Sequence, residues 1–223
     1  MKSVFGPYWG SYFKQHGLYG LIHLALRRVL SLRIAMQLKR CGKLTLQASS
    51  EVSGRRWISI GGLTAGKRLR MEALGFFAGA MYEPSIVIGR RVSMGTDVHI
   101  ASMLNIEIGD DVLIGSYVTI IDHDHGGYRD SDSKDSQPSV PPALRPLKGA
   151  PIKLGDRVHI GDHVVILKGV NIGAGSVVGA GSVVTKNVPE NAIVAGNPIK
   201  LIRLFSGKEN AWVSSAVKKT ASE

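Results

Sequence analysis

Residues 154–184, LGDRVHIGDHVVILKGVNIGAGSVVGAGSVV, decide the fold because an aliphatic residue returns at every sixth position. The same spacing runs upstream in two further phases, which begin at Ile88 and Ile108. Glycine directly follows the aliphatic residue at eight of these twelve positions, well above its share of the composition. The twelve aliphatic or methionine positions are Ile88, Met94, Ile100, Ile108, Ile114, Ile120, Leu154, Ile160, Ile166, Ile172, Val178 and Val184.

A six-residue period matches neither the 3.6-residue turn of a helix nor the two-residue alternation of a plain strand. It predicts short strands separated by sharp corners, with the repeated aliphatic side chain in a narrow core. The glycine that follows would permit either close packing or a positive φ beside the bend. Because a β-sandwich would not keep this register through twelve units, we predict an all-β protein, a parallel β-solenoid.

Two interruptions break the register of the repeats. The first is a two-residue shift between Ile100 and Ile108, which we interpret as a bulged corner. The second is the segment 124–151, which is rich in aspartate and then in proline. Uninterrupted loops of this length in compact domains are usually functional or disordered. We therefore predict that the segment is an active-site loop projecting from the solenoid.

Composition excludes several classes of protein before any motif is considered. The chain has 223 residues, of which 44% are hydrophobic and 20% charged, so it is not disordered throughout. Its one cysteine excludes both a disulfide framework and an all-cysteine metal site.

The net charge of +11 is unevenly distributed along the chain. Residues 1–70 contain 13 Lys or Arg and one acid, whereas residues 71–223 contain 15 bases and 16 acids.

The basic front segment, residues 1–43, predicts an amphipathic helix near residues 18–40, preceded by aromatic residues. Such a helix would cap the solenoid or pack within a trimer, or it would contact an anionic membrane surface. We expect no nucleic-acid partner, because no binding motif accompanies the charge. Charged residues interrupt residues 18–36, and no secretory signal is found, so we predict a cytoplasmic protein, with contact at the inner membrane face as an option. The aromatic residues are Phe5, Tyr8, Trp9, Tyr12 and Phe13.

The motif IIDHDHGG, residues 120–127, stands directly before the long loop. On a strand, His123 and His125 would share one face, because they are two residues apart. They could be merely solvated, or they could bind a metal together with Asp122 or Asp124. Alternatively, one imidazole oriented by a carboxylate could act as a general base near neutral pH. The residues by themselves leave these alternatives open.

A second motif follows the repeats, GSVVGAGSVVTKNVPENAIVAGNPIKLIR at residues 175–203. Together with the hexads, this run resembles the hexapeptide-repeat acyltransferases, in particular their sugar and polysaccharide O-acetyltransferase branch. The resemblance implies a left-handed parallel β-helix and a homotrimer whose active sites lie between neighbouring solenoids. It also implies direct transfer of an acetyl group from acetyl-CoA to a sugar hydroxyl, in surface polysaccharide biosynthesis, with no metal.

The resemblance assigns roles to particular residues of this chain. It makes His125 the general base, with His123 as the second candidate, and Asp122 or Asp124 would be the carboxylate that orients the ring. Small side chains would line the pantetheine arm of CoA, and basic side chains would pair with its phosphates. Many relatives have Trp at the position of His159, which we interpret as a wall residue. The implied cofactor-binding residues are Gly161, Gly179, Ala180, Thr185, Lys186, Lys200 and Arg203.

The predicted organisation is an N-terminal segment 1–43, a β-helix 44–203 with the inserted loop 124–151, and a tail 204–223. Two other activities remain as alternatives. An N-acetyltransferase of a nucleotide-linked amino sugar often carries an N-terminal nucleotide-binding unit, and no GxGxxG motif is found here. A zinc-dependent hydratase resembling the γ-type carbonic anhydrases would require three histidines converging between subunits.

Overall fold

A computed structural model describes residues 22, 24–47, 49–128 and 136–214. The aromatic residues near the N-terminus lie outside the described residues, and so do residues 18–21, where the predicted helix begins. Helix α1 occupies residues 24–35, and short 3-10 turns form at Arg55–Trp57 and Pro142–Leu144. None of the described helices has the length and apolar character needed to cross a bilayer.

Most strands run in parallel along three faces of a coil, with one strand per face in each turn. The first face contains the N-terminal half of β3 (Ile58–Ala65) with β7 (Ser85–Ile88), β10 (Asn105–Ile108), β15 (Ile152–Leu154) and β18 (Asn171–Ile172). The second contains the C-terminal half of β3 with β8 (Val92–Met94), β11 (Leu113–Ile114), β16 (His159–Ile160), β19 (Val177–Val178) and β21 (Ala192–Ala195). The third contains β2 (Glu51–Ser53), β4 (Arg70–Ala73), β9 (His99–Ser102), β12 (Thr119–Ile121), β17 (Val165–Ile166) and β20 (Val183–Val184).

The remaining strands extend the coil or leave it. Strand β1 (Arg40–Thr45) pairs in parallel with β3, so strand pairing starts at Arg40. Two antiparallel pairs project from corners: β5 (Phe76–Phe77) with β6 (Ala80–Met81), and β13 (His123–His125) with β14 (Leu147–Gly149). At the C-terminal end, β22 (Lys200–Ser206) and β23 (Ala211–Ser214) continue the second face antiparallel. Part of the segment 204–223, predicted as a tail, is therefore strand.

The core is a single column of aliphatic side chains inside the coil. All twelve predicted core positions are at most 5% exposed, which confirms the β-solenoid. Leu46, Val52 and Ile58 continue the six-residue spacing upstream and are buried in the first two coils. Since residues of the column stack on equivalent residues of neighbouring coils, the hexad spacing sets the strand register within each uninterrupted run of repeats.

The hexad glycines serve close packing. A Cβ on Gly89 would lie 2.5 Å from the carbonyl carbon and oxygen of Gly109 in the next coil, and one on Gly161 would lie 2.6 Å from the Ala180 nitrogen. Positive φ occurs two residues later instead, where the chain turns the corner. The residues with positive φ at these corners include Arg91, Asp97, Asp111, Tyr117, Arg157, His163, Gly175 and Gly181.

Helix α1 covers the open N-terminal end of the core. Ile34 is 1% exposed and belongs to the same apolar cluster as the first coils. The Ser31 hydroxyl accepts a hydrogen bond from the Leu46 amide at 2.9 Å and donates one to the Arg27 carbonyl at 2.8 Å. The helix therefore caps the solenoid, which is one of the hypotheses for the basic segment.

We predict that Gly89→Ala destabilises the protein by about 2–4 kcal/mol, because the added methyl group would collide with rigid backbone of the next coil. The control is Gly207→Ala, where an added Cβ meets nothing within 4 Å and φ is not positive. Chemical denaturation followed by circular dichroism measures both free energies of unfolding. Equal stability of the two variants would contradict the packing role of the hexad glycine.

Candidate active site

The DHDH motif lies at the corner where the third face leads into the first. Strand β13 pairs antiparallel with β14, so that His125 stands opposite Leu147 and His123 opposite Gly149. The described parts of the predicted loop thus leave and rejoin the solenoid through one two-stranded ribbon. Because side chains alternate along a strand, His123 and His125 share one side of the ribbon and Asp124 takes the other.

Asp122 is the buried centre of this corner. It is fully buried, and its Oδ2 accepts hydrogen bonds from the Ser102 hydroxyl at 2.7 Å and the Leu104 amide at 3.0 Å. Its Oδ1 accepts from the Met103 amide at 2.9 Å. Met103 and Leu104 lie in the corner that contains the two-residue shift, between β9 and β10. The carboxylate therefore binds the backbone of the interruption in the preceding coil.

The protonation state of Asp122 follows from these contacts. Burial by itself raises the pKa of the carboxyl, but hydrogen bonds from His123, Ser102 and the two backbone amides outweigh it. The net effect is a pKa below the usual range for aspartate. Asp122 is consequently an ionised acceptor at neutral pH.

Asp122 orients His123. The Nδ1 of His123 lies 2.9 Å from Oδ1 of Asp122, and the His123 side chain is only 7% exposed. Since the ionised carboxylate can only accept, the proton of this hydrogen bond is on Nδ1. The sequence predicts that a carboxylate orients one of the two histidines. In the structure the oriented ring is that of His123, the second candidate for the general base.

His125 is exposed and has different neighbours. Its ring meets Phe77 edge to face, with centroids 4.9 Å apart and planes at 71°. Asp124 forms an ion pair with Lys168 of the next coil, on the opposite side of the ribbon. The main-chain carbonyl of His125 accepts a hydrogen bond from the Tyr128 hydroxyl at 2.7 Å, which secures the base of the loop.

The hairpin β5–β6 is a part of this region that the sequence motifs did not reveal. It carries Phe77 to His125, and the Tyr82 hydroxyl just beyond it accepts a hydrogen bond from the Leu147 amide at 3.0 Å. Phe76 and Met81 on the same hairpin are 62% and 73% exposed. A signal was available, since residues 74–82 fall outside the hexads and contain three aromatic side chains.

A groove with a volume of 460 Å³ lies along the second face and contains part of the predicted cofactor site. Gly161, Gly179 and Ala180 line it, and His159 forms part of its wall. Lys200 pairs with Ala195, which packs directly beyond Gly179. Lys200 therefore stands beyond the end of the groove.

The other predicted cofactor residues are not all at this groove. Arg203 lies further along β22 and donates a hydrogen bond to the Trp212 carbonyl at 3.3 Å. Thr185 and Lys186 follow β20, at the corner that also carries Asp122 and Lys168 in earlier coils. Within one chain, the predicted site residues are thus divided between the second-face groove and the histidine corner.

Among the described residues, no three His, Cys, Asp or Glu side chains are placed to hold one metal ion. The zinc-hydratase alternative therefore finds no ligand set within the described part of a single chain.

Comparison with known proteins places the chain in a family. Residues 151–186 match the family described as bacterial transferase hexapeptide (six repeats). An Escherichia coli (strain K12) protein named "Putative lipopolysaccharide biosynthesis O-acetyl transferase WbbJ" is 36% identical over 200 residues, which cover 89% of this chain and 95% of that protein. The chain belongs to the hexapeptide-repeat acyltransferases. This confirms the resemblance inferred from the motifs, and the protein is an acyltransferase.

Solved structures show the same fold. A hexapeptide-repeat acetyltransferase of Vibrio cholerae, complexed with acetyl coenzyme A, is 22% identical with a TM-score of 0.52, and the match covers 92% of each chain. A Clostridium difficile maltose O-acetyltransferase is 24% identical with a TM-score of 0.51, covering 80% of this chain and 86% of that one. A mutant of AntD, a Bacillus cereus N-acyltransferase in complex with dTDP and coenzyme A, is 20% identical with a TM-score of 0.55, covering 83% and 92%. The fold of this hexapeptide-repeat acyltransferase is, as predicted, a left-handed β-helix.

We predict that Asp122→Asn lowers the free energy of unfolding by about 2–4 kcal/mol at pH 7, because the amide cannot accept all four hydrogen bonds. The pKa of Asp122 is lower folded than unfolded. Its contribution to stability is therefore complete above the unfolded pKa of about 4 and is lost as pH falls through the folded value.

The difference in stability between the parent and Asp122→Asn should consequently narrow below about pH 4. Denaturant titrations at a series of pH values measure it, with Glu51→Gln on an exposed strand position as the control. A difference that stays constant as the pH falls would contradict the assignment of an ionised, hydrogen-bonded carboxylate.

Proposed function

We propose that the enzyme is an acetyl-CoA-dependent O-acetyltransferase that acts on a sugar hydroxyl in cytoplasmic steps of surface polysaccharide synthesis. The exposed imidazole of His125 carries the proposal, since it stands at the base of a long loop on an acyltransferase solenoid. The named role of the Escherichia coli relative in lipopolysaccharide O-acetyl transfer supports the acceptor class. Acetyl coenzyme A bound to the Vibrio cholerae structure supports the donor.

His125 would act as the general base in direct transfer. Its imidazole takes the proton of the acceptor hydroxyl while that oxygen attacks the thioester carbonyl carbon. The carbon–sulfur bond then breaks as the tetrahedral intermediate collapses, and the thiolate of CoA takes the proton back from the imidazolium. A backbone N–H near the coil would stabilise the oxyanion of the intermediate. Phe77, in edge contact with the ring, restricts the directions that the imidazole can adopt.

His123 is better suited to positioning than to proton transfer. Its ring is nearly buried, and its Nδ1 is bound to Asp122, which also binds the backbone of the preceding coil. These bonds fix the start of β13, and with it the location of His125 two residues later. His123 remains the second candidate for the base, because with Nδ1 bound to Asp122 the other ring nitrogen, Nε2, is the atom that could accept a proton.

Binding of acetyl-CoA would use the groove of the second face. There Gly161, Gly179 and Ala180 leave backbone accessible beside an extended pantetheine arm, although the glycines are already required for coil packing. Lys200 and Arg203 are exposed and would pair with the phosphates of CoA.

A homotrimer would unite the two separated sets of site residues. The groove lies on the second face, whereas His125, Thr185 and Lys186 lie at the corner between the third and first faces. In a cyclic trimer, the groove of one subunit can face the histidine corner of its neighbour, so that each site draws on two chains. The division of the predicted residues within one chain supports this arrangement.

We expect His125→Ala to lower kcat for acetyl transfer to a sugar acceptor by about 10²–10⁴-fold, the usual contribution of general base catalysis. Stability should stay close to that of the parent, because the His125 ring is exposed. His123→Ala is the matched comparison, and we expect it to lose stability as well as activity. Full activity of His125→Ala, with abolished activity in a folded His123→Ala, would transfer the role of base to His123.

A mixing experiment tests the shared site. His125→Ala removes the base, and Ala180→Trp obstructs the groove at an exposed position. If each site takes its base and its groove from different subunits, co-expression of the two inactive variants should restore about a quarter of the parental sites. Activity no higher than that of the separate variants would contradict a site between subunits.

Lability of the product to hydroxylamine distinguishes an O-acetyl ester from the amide that an N-acetyltransferase would make.

A further inference from the structure

Helix α1 has two apolar faces, and only one is used by the solenoid. The inward face contains Ser31 and Ile34, which are 6% and 1% exposed. The outward side chains, together with that of Ile22, which is also helical, are more than half exposed. With 100° of rotation per residue, they fall within an arc of about 120° opposite the inward face formed by Ser31 and Ile34. The exposed residues are Ile22 at 53%, Leu26 at 55%, Val29 at 52%, Leu32 at 63% and Met36 at 72%.

The orientation of α1 is fixed by polar contacts as well as by burial. Arg27 Nε donates a hydrogen bond to the Leu46 carbonyl at 3.3 Å, and the Leu46 amide donates to Ser31 Oγ at 2.9 Å. Rotation that buried the outward side chains would break both bonds and expose Ile34. The fold therefore presents this outward apolar face to whatever lies beyond the N-terminal end of the solenoid.

Charge decides what can cover the outward apolar face. Arg33 lies within the exposed arc, Arg28 flanks it, and Lys39 and Arg40 follow the helix. Residues 1–70 carry 13 bases against one acid. An anionic bilayer satisfies both properties, because its acyl region receives the apolar side chains and its phosphates receive the cations.

A second copy of the chain is a poorer complement. Residues 71–223 carry 15 bases and 16 acids, so the body of another subunit has a net charge of only −1 to set against the basic segment. Contact between two such helices would bring like charges together.

We propose that the outward apolar face of α1 docks the protein on an anionic lipid bilayer. The helix would lie parallel to the surface with Leu26, Val29 and Met36 in the interfacial region, while Arg33 extends to the phosphates. Binding would be peripheral and sensitive to salt, since part of it is electrostatic. The inference rests on the helix alone, so it stands or falls independently of the acetyl-transfer chemistry.

Vesicle sedimentation with the full chain tests the proposal. The parent should sediment with phosphatidylcholine vesicles that contain about one third phosphatidylglycerol, and far less with pure phosphatidylcholine. Leu26→Gln together with Val29→Gln leaves the charge unchanged and removes two half-exposed apolar side chains. We expect it to weaken the partition coefficient about tenfold or more. Arg33→Gln together with Lys39→Gln should weaken binding to anionic vesicles and reduce its dependence on salt.

The matched control is Val87→Gln together with Ile202→Gln, which removes two apolar side chains of 40% and 42% exposure from the solenoid. This control should bind vesicles like the parent. Circular dichroism and sedimentation velocity of each variant report folding and oligomeric state. Equal binding to neutral and anionic vesicles, or unchanged binding of the Leu26/Val29 double variant, would overturn the proposal. A change of oligomeric state in that variant, with vesicle binding intact, would assign the face to another subunit instead.

Discussion

The contact between successive coils at the hexad corners is the constraint on which the rest of the molecule depends. Backbone of one coil passes so close to the next that a single Cβ at Gly89 or Gly161 would overlap it. Because glycine at the corner has no side chain, the parallel strands of each face can lie at normal hydrogen-bonding distance. It also keeps the interior only one aliphatic side chain wide per face. The same repeated contact shapes the groove lined by Gly161 and Gly179, which is the site that we propose for acetyl-CoA.

Periodicity was sufficient to predict the solenoid, its strands and its core, because every inward position repeats one environment. It could not choose between the two explanations for the hexad glycine, since tight packing and positive φ both favour that residue. The positive φ lies two positions later, and at Arg91, Tyr117 and Arg157 the residue type gives no signal of a left-handed conformation. The sequence therefore revealed the repeat more completely than the geometry of its corners.

The candidate site was predictable only as a list of residues. Its decisive contacts join different coils: Asp122 binds Ser102, and Lys168 pairs with Asp124. Phe77 reaches His125 from a hairpin that interrupts an earlier coil. None of these pairings follows from local spacing, so the motif could suggest a carboxylate beside a histidine without deciding which ring it binds. Asp122 also connects the DHDH motif to the register shift one coil earlier, two features that looked independent in the sequence.

Because of the ribbon formed by β13 and β14, the geometry of the coil does not depend on the length of the inserted segment. Chain leaves the corner at His123 and returns beside it at Gly149, so the next coil begins in register however many residues lie between. In an evolving family, such a corner can accept insertions and deletions that whole hexads cannot. The inserted segment can therefore change in length and sequence while the stacked coils and the groove along them stay the same.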